Sequence, residues 1–419
     1  MIRPFYSLVM SGAQPLLRHK LRRRGVAEPG YLQHVDERFG LYAGRSEPGR
    51  IWIHAVSLGE TRAAAILLDE LRAQEPDAHV LLTHGTATGR AEGERLLRPG
   101  DLQAWLPWDT PQAVRRFLAH FRPRIGVLME TEVWPNLAAG CLHEGVPLVL
   151  ANARLSEKSM RQALRLARLS RPAYGALAAA WAQTEADARR LVRVGARVGG
   201  VFGNLKFDAS PDPRQLARGR AWRAASGRPV VMFASSREGE EQALFAALAA
   251  DKALAAGVQW LVVPRHPQRF DEVAALAQRH GLSVSRRSGW TGAPQPADVW
   301  LGDSLGEMAL YYAMADAALL GGSFEPLGGQ NLIEAAASGC PVVMGPHTFN
   351  FADAAQLAED AGAALRVATI GEAVRSAVAL AVDATRQAAV AAAGLAFASA
   401  HRGAARRTAG ALLALAGRR

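Results

Sequence analysis

Lysine is nearly absent: Lys20, Lys158, Lys206 and Lys252 stand among 49 basic residues, the rest arginine. With abundant alanine this fits a GC-rich coding bias, and it makes a lysine inside a polar motif conspicuous. There are two cysteines, Cys141 and Cys340, far apart and each beside apolar residues. That excludes a disulfide framework and cysteine metal-ligand spacing, suits a reducing cytosol, and leaves both thiols to pack as small hydrophobes. His54, His84, His266 and His347 are scattered singly, which makes a metal site a poor choice. Phe5 to Leu17 is too short and too interrupted to supply the ~20 apolar residues a membrane-spanning helix needs. GxxxxGK[ST] is missing, against a P-loop nucleotidase, and no GxGxxG follows the first strand of either half, against a nicotinamide or flavin enzyme. No arginine run with interleaved aromatics resembles an RNA-binding module, so no nucleic-acid partner is expected.

What is present is a chain of 419 residues with 49% hydrophobic and 21% charged residues, ordinary for a globular protein of two domains or one large one. Net charge is +11. Such an excess suits a nucleic acid, a membrane surface or an anionic substrate, and compositional drift accounts for it equally well. Phe5 to Leu17 is apolar but broken by Ser7, Ser11, Gly12, Gln14 and Pro15, and Arg18, Lys20, Arg22, Arg23 and Arg24 follow. A signal peptide has the opposite order. Residues 1–24 are therefore expected to dip into a leaflet with their cations on anionic headgroups. The alternative is an N-terminal helix buried against its domain.

Short apolar runs alternate with longer helical stretches. In the first half they are Ile51–Ser57, His79–Thr83, Ile125–Glu130, Pro147–Asn152, Ala180–Thr184 and Val198–Asn204. A polar, proline-rich linker at 208–214 interrupts them. The alternation restarts at Pro229–Ser235, Gln259–Pro264, Asp298–Gly302, Ala317–Gly321, Pro341–Gly345 and Ala363–Val367. Nearly continuous apolar strands between helices predict parallel sheets covered on both faces, with ligands at the strands' carboxyl ends. The expected fold is α/β: two doubly wound domains, 25–207 and 215–419, facing across a cleft.

The polar motifs fall at those carboxyl ends. In His54-Ala-Val-Ser57-Leu-Gly59-Glu60-Thr61, Glu60 is either a helix-start residue favoured by the dipole or a general base. Met129-Glu130-Thr131-Glu132-Val-Trp134-Pro135-Asn136 ends a strand with two carboxylates that either cap the next helix or face a ligand. Asn152-Ala-Arg154-Leu-Ser156 closes the next strand. Lys206, in Gly203-Asn204-Leu-Lys206-Phe-Asp208, is a surface lysine or a cation balancing a phosphate or carboxylate. In the second half, Ser235-Ser-Arg237-Glu-Gly-Glu240 makes a plausible anion site. Pro264-Arg265-His266-Pro267, Gly302-Asp303 through Gly306-Glu307-Met308, Gly321-Gly322 and Gly328-Gly-Gln-Asn331-Leu332-Ile333-Glu334 add glycine-bearing loops where a phosphate could approach helix amides.

Taken in order, the segments 54–60, 129–136, 151–156 and 203–208, Val263-Pro-Arg-His-Pro267, Gly302-Asp303, Gly306-Glu307 and Met344-Gly-Pro-His-Thr-Phe-Asn-Phe351 resemble the Kdo transferases over nearly the whole chain. The resemblance implies a GT-B fold of two Rossmann-like domains, the acceptor in the first and the nucleotide sugar in the second. It implies no cofactor and no metal, and a place on the cytoplasmic side of the inner membrane, against its anionic lipid. It implies transfer of Kdo from CMP-Kdo to lipid IVA in lipopolysaccharide core biosynthesis, with inversion. Glu60 then becomes the general base, and Glu130 and Lys206 stabilise the transition state. Pro264 and Arg265, Gly306 to Met308 and Asn331 to Glu334 contact the donor, and Ser235 and Arg237 assist with its anionic groups. Met308 replaces the family's usual leucine, and Arg237 stands where some members have histidine. The alternatives are another GT-B enzyme of nucleotide sugars, such as a 2-epimerase, or a non-catalytic membrane scaffold.

Overall fold

Four consecutive buried residues, Ile51–His54, make strand β1, and their side chains divide by parity. Ile51 and Ile53 enter one core layer and Trp52 the other, as in a parallel strand covered on both faces. The computed structural model describes residues 2–417, and this pattern recurs there in two compact units: Met1–Asp208 with Arg402–Arg419, and Ala209–His401.

Unit 1 contains β1, β2 (Val80–His84), β3 (Leu102–Trp105), β4 (Ile125–Met129), β5 (Leu148–Ala153), β6 (Ala179–Ala182) and β7 (Val198–Val201). They form one sheet of order β3-β2-β1-β4-β5-β6-β7, every pair parallel. Strand order reverses between β1 and β4, which opens a crevice at their carboxyl ends. Unit 2 contains β8 (Val230–Ser236), β9 (Gln259–Pro264), β10 (Val284–Arg286), β11 (Val299–Leu301), β12 (Ala317–Leu320), β13 (Val342–Met344) and β14 (Ala364–Arg366). Their order is β10-β11-β9-β8-β12-β13-β14, again all parallel. The reversal here lies between β8 and β12.

Each run expected from the sequence contains a strand. β3 and β10, which were not expected, are edge strands. β10 is half-buried throughout, and β3 is half-buried at its first two residues. An edge needs no continuous apolar run, so it lacks the signal that marks an interior strand.

The helix Leu58–Gln74 shows how the site in unit 1 is held. Ser57 caps it by accepting from Glu60 N–H at 3.4 Å. Ala63, Ala64, Leu67, Leu68 and Leu71 recur at helical spacing and are buried on the sheet. Residues 402–419 depart from the domain division read in the sequence, which gave them to the second domain. Ala404, Ala405, Ala409, Leu412 and Ala416, all in the helix Ala404–Ala416, share the unit 1 core layer of Ile51 and Leu67. Asp208 fixes its start, accepting from the backbone N–H of Gly403 and, at 2.7 Å, of Ala405. An alanine-rich helix carries no mark of which sheet it will cover. The expected linker is shorter too, because Asp212 caps the helix Pro213–Ala225.

Residues 2–27 form two helices, Ile2–Gly12 and Gln14–Ala27. The first is docked by its polar side: Tyr6 OH donates to Asp109 at 2.9 Å and Ser7 OH to Asn136 Oδ1 at 2.8 Å. Phe5 (67% exposed), Leu8 (71%) and Val9 face outward, as does Leu16 in the second helix. Among the described residues no single helix is long and apolar enough to cross a membrane.

Candidate active site

Glu60 lies in the first turn of its helix, directly after the β1 end of the unit 1 reversal. Its carboxylate accepts from the backbone N–H of Val56 at 2.8 Å and from the Ser57 hydroxyl at 3.1 Å. It therefore caps its helix and still has accepting capacity left. Burial pushes its pKa up to about 7; the Val56 N–H pulls the other way, and the charges of Glu130 and Glu132 add to the rise. A carboxylate tuned to neutral pH can accept a proton in the reaction and release it afterwards.

Glu130, at the end of β4, meets it across the same reversal. Its φ is +59°, a left-handed conformation costing a non-glycine residue ~1–2 kcal/mol. Its backbone is locked there, N–H to Ala151 O at 3.0 Å and C=O accepting from Arg154 N–H at 3.1 Å. Lys206 Nζ is 3.6 Å from Glu130 Oε1, and both side chains are largely shielded. The structure thus brings Glu60, Glu130 and Lys206 into one cluster. Glu132 joins it, its pKa raised by burial, with the neighbouring Trp134 indole acting in the opposite sense. Asn152, also at positive φ, sits in a bulge between β5 and β6, and its side chain accepts from Leu205 N–H at 3.1 Å, setting the turn that carries Lys206. His54 and His84 are buried on Thr83 and Ala55, with burial depressing their pKa values to about 3 and about 4. They are neutral structural groups.

In unit 2 the reversal is bordered by cations. Ser235 has φ +55° and occupies a bulge at the end of β8. The Ser236 hydroxyl is buried with no hydrogen-bond partner among the described residues. Arg265 N–H donates to Ser236 O at 3.0 Å, which joins the β8 and β9 loops. Burial and the guanidiniums of Arg237, Arg265 and Arg269 lower the pKa of His266, whereas Glu238 acts in the opposite sense. The three guanidiniums, which disfavour a proton on His266, favour an anion at the same place. The turn after β12 approaches closely: a Cβ on Gly321 would lie 2.2 Å from Ser235 O, and one on Gly322 (φ +67°) would lie 3.1 Å from Gln330 Nε2 and 3.6 Å from Arg237 Cγ.

The remaining donor candidates divide. Gly306 (φ +78°) is exposed, and Glu307 and Met308 are half-buried. Glu307 accepts from Arg287 at 2.8 Å and from the Ser304 hydroxyl. Asn331 caps its helix by accepting from Ile333 N–H at 3.2 Å, and Glu334 stays half-buried one turn on. Pro264, Leu332 and Ile333 have buried side chains, so they offer a ligand main chain only. Asp303 is consumed by Arg286 and Ser288. Sequence reasoning left Glu240 and Arg269 unassigned. Glu240 is 1% exposed and accepts from the N–H groups of Arg237, Gly322 and Phe324 at 2.9, 2.8 and 3.1 Å. Arg269 pairs with buried Glu241 at 2.8 and 3.2 Å. The signal for Glu240 was its place three residues after Arg237, the reach-back spacing of a helix start.

Residues 33–209 match the family model described as 3-deoxy-D-manno-octulosonic-acid transferase (kdotransferase). A 3-deoxy-D-manno-octulosonic acid transferase from Bordetella pertussis is 49% identical over 98% of this chain and 98% of its own. One from Haemophilus influenzae is 32% identical over 90% of each. Among solved structures, a glycosyltransferase from Rickettsia africae covers 89% of this chain and 100% of its own, with TM-score 0.59 and 11% identity. A UDP-GlcNAc 2-epimerase from Neisseria meningitidis covers 87% and 100%, with TM-score 0.57 and 14% identity. These two neighbours speak to the fold alone.

Proposed function

From the premise that the chain belongs to the 3-deoxy-D-manno-octulosonic acid (Kdo) transferase family, we propose that it moves Kdo from CMP-Kdo to lipid IVA at the cytoplasmic face of the inner membrane. The family makes it a glycosyltransferase of lipopolysaccharide core biosynthesis, on a GT-B fold. The step we assign is an inverting displacement. Glu60 takes the proton as an acceptor hydroxyl forms its bond to the anomeric carbon of Kdo. The bond from that carbon to the CMP phosphate oxygen breaks on the opposite side, and CMP leaves with the electron pair.

The observation carrying this reading is the Glu60 carboxyl: held by two hydrogen bonds, half-buried, with a pKa of about 7. Lys206 and Glu130 belong to the same cluster, Lys206 as the cation that offsets developing negative charge. Arg237 and Arg265, with the main chain around Ser235 and Gly322, receive the phosphate and the sugar carboxylate. Asn331 to Glu334 and Gly306 to Met308 hold the nucleoside. Positive charge comes from side chains in this scheme, so EDTA should leave the rate unchanged. The leaflet reading rests on the outward apolar side chains of residues 2–16 and the cations after them. Lys158, Arg161, Arg165, Arg168 and Arg171, exposed on the helices Glu157–Arg165 and Ala167–Gly175, add charge to the same unit.

The test is Glu60→Gln with lipid IVA and a CMP-Kdo supply, product read by mass spectrometry and donor binding by calorimetry. Turnover should fall ~10²–10⁴-fold while donor affinity holds. Turnover within a few-fold of wild type would remove Glu60 from the role.

A further inference from the structure

Outside that site, a cavity of about 500 Å³ opens in unit 1 between the helix Ile2–Gly12 and the helices Pro111–Phe121 and Pro135–His143. Its walls are of two kinds. Val114, Leu118 and Ala139 make an apolar side, while Arg3 and Arg115 bring guanidiniums. Among the described residues neither arginine side chain has a hydrogen bond or an ion pair, and only Arg3 has a carboxylate, Asp109, within electrostatic reach. His143 and Glu144 stand at the same cavity, so the lining carries more positive charge than negative. The polar groups of the floor are already spent, Ser7 on Asn136 and Asn136 on Asp109, so only the guanidiniums and the apolar wall are left for a ligand.

The helix that supplies Arg3 also turns Phe5, Leu8 and Val9 outward. A free phosphate would satisfy the arginines and leave the apolar wall wet; a hydrocarbon chain alone would leave the cations unanswered. An amphiphile with a phosphodiester head meets both demands. We propose that this cavity seats the phosphoglycerol headgroup and first methylenes of one anionic membrane phospholipid. The proposal rests on the leaflet reading above and adds a stoichiometric, headgroup-selective site to it.

Native mass spectrometry of full-length protein in detergent containing equal phosphatidylglycerol and phosphatidylcholine tests the site directly. Wild type should retain one phosphatidylglycerol per chain. Arg115→Gln should lower that retention about five-fold, and Ala139→Trp, which fills the cavity from a partly exposed position, should abolish it. Co-sedimentation separates this site from the leaflet reading. On pure phosphatidylcholine vesicles both variants should bind like wild type, and Phe5→Ser/Leu8→Ser should bind less. Equal retention of both lipids, or full retention by Ala139→Trp, overturns the cavity proposal even where sedimentation is intact. Thermal protection by inorganic phosphate matching that by the lipid would also overturn it, as a free-anion site. Wild type failing to sediment both with these vesicles and with vesicles containing equal phosphatidylglycerol and phosphatidylcholine would sink the leaflet reading instead.

Discussion

Each unit places a glutamate in the first turn of a helix beside its reversal of strand order, Glu60 after β1 and Glu240 after β8. Glu240 is sealed and accepts three backbone N–H bonds, tying the β8 loop to the β12 turn. Glu60 accepts one backbone N–H and one hydroxyl, stays half-buried, and has two further carboxylates as neighbours. One position in the architecture thus serves as a structural anchor in one unit and as a proton acceptor in the other. The number of amide donors aimed at it, and the sign of the charge around it, make the difference. Around Glu60 that charge is negative apart from Lys206; around the unit 2 loops it is the positive charge of Arg237, Arg265 and Arg269.

The sharpest way to break the comparison is to remove both charges. Glu60→Gln should lose the rate stated above, and Glu240→Gln should instead lose about 2 kcal/mol or more of stability, read by thermal melting. Glu60 should also leave a mark on the pH dependence of stability. The folded-state pKa of Glu60, about 7, exceeds its ordinary value of 4.5, so between those values the folded chain binds more protons than the unfolded one. Stability from this group is full below pH 4.5 and is lost as pH rises through 7. Glu60→Gln should therefore melt above wild type at pH 8, by about 1–2 kcal/mol once its partial exposure is allowed for, with little difference at pH 4.5. The wild-type rate should rise with pH and level off above about 7. A flat rate from pH 5 to 8 would deny Glu60 its tuning.

Much of this was legible in the chain and some was not. The strands interior to each sheet announce themselves as apolar runs, and Glu60, Glu130 and Lys206 stood at strand ends before any coordinates. What a linear reading lacks is partnership. Nothing in Leu332-Ile333 says that both side chains turn inward, because a strand-end loop and a helix start look alike until the helix face is known. The place of Ala404–Ala416 on unit 1 depends on Asp208, almost two hundred residues away. The tuning of Glu60 depends on Glu130 and Glu132, which only folding brings close.

The next effect in size concerns the cations. Arg265→Ala and Arg237→Ala should each weaken donor binding about tenfold, by ~1.5 kcal/mol for a charge-assisted contact, without moving the pH limb set by Glu60. Calorimetry with CDP or CMP as probe separates the two readouts. A shift of the pH limb on Arg265→Ala would mean that the charges of the two units do not divide as described. Asp208→Ala, which frees the start of the helix Ala404–Ala416, should cost about 1–2 kcal/mol and act on unit 1 alone.

The smallest effect tests whether strain marks function in both units. Glu130 and Ser235 both hold left-handed backbone at the carboxyl ends of strands beside the reversals, and such conformations persist only where the surroundings impose them. Replacing Ser235 by glycine removes ~1–2 kcal/mol of backbone cost and restores ~0.5–1 kcal/mol through the entropy glycine loses on folding. Ser235→Gly should therefore melt slightly above wild type, by about 0.5 kcal/mol. It should also bind the donor a few-fold more weakly, because the half-buried hydroxyl at the bulge is gone. Glu130→Gly gains the same relief and loses the partner of Lys206, so its cost should fall on turnover. If Ser235→Gly is more stable and binds the donor as well as wild type, the strain in unit 2 is a packing consequence of Gly321 lying on Ser235. The likeness between the two reversals then ends at their backbone.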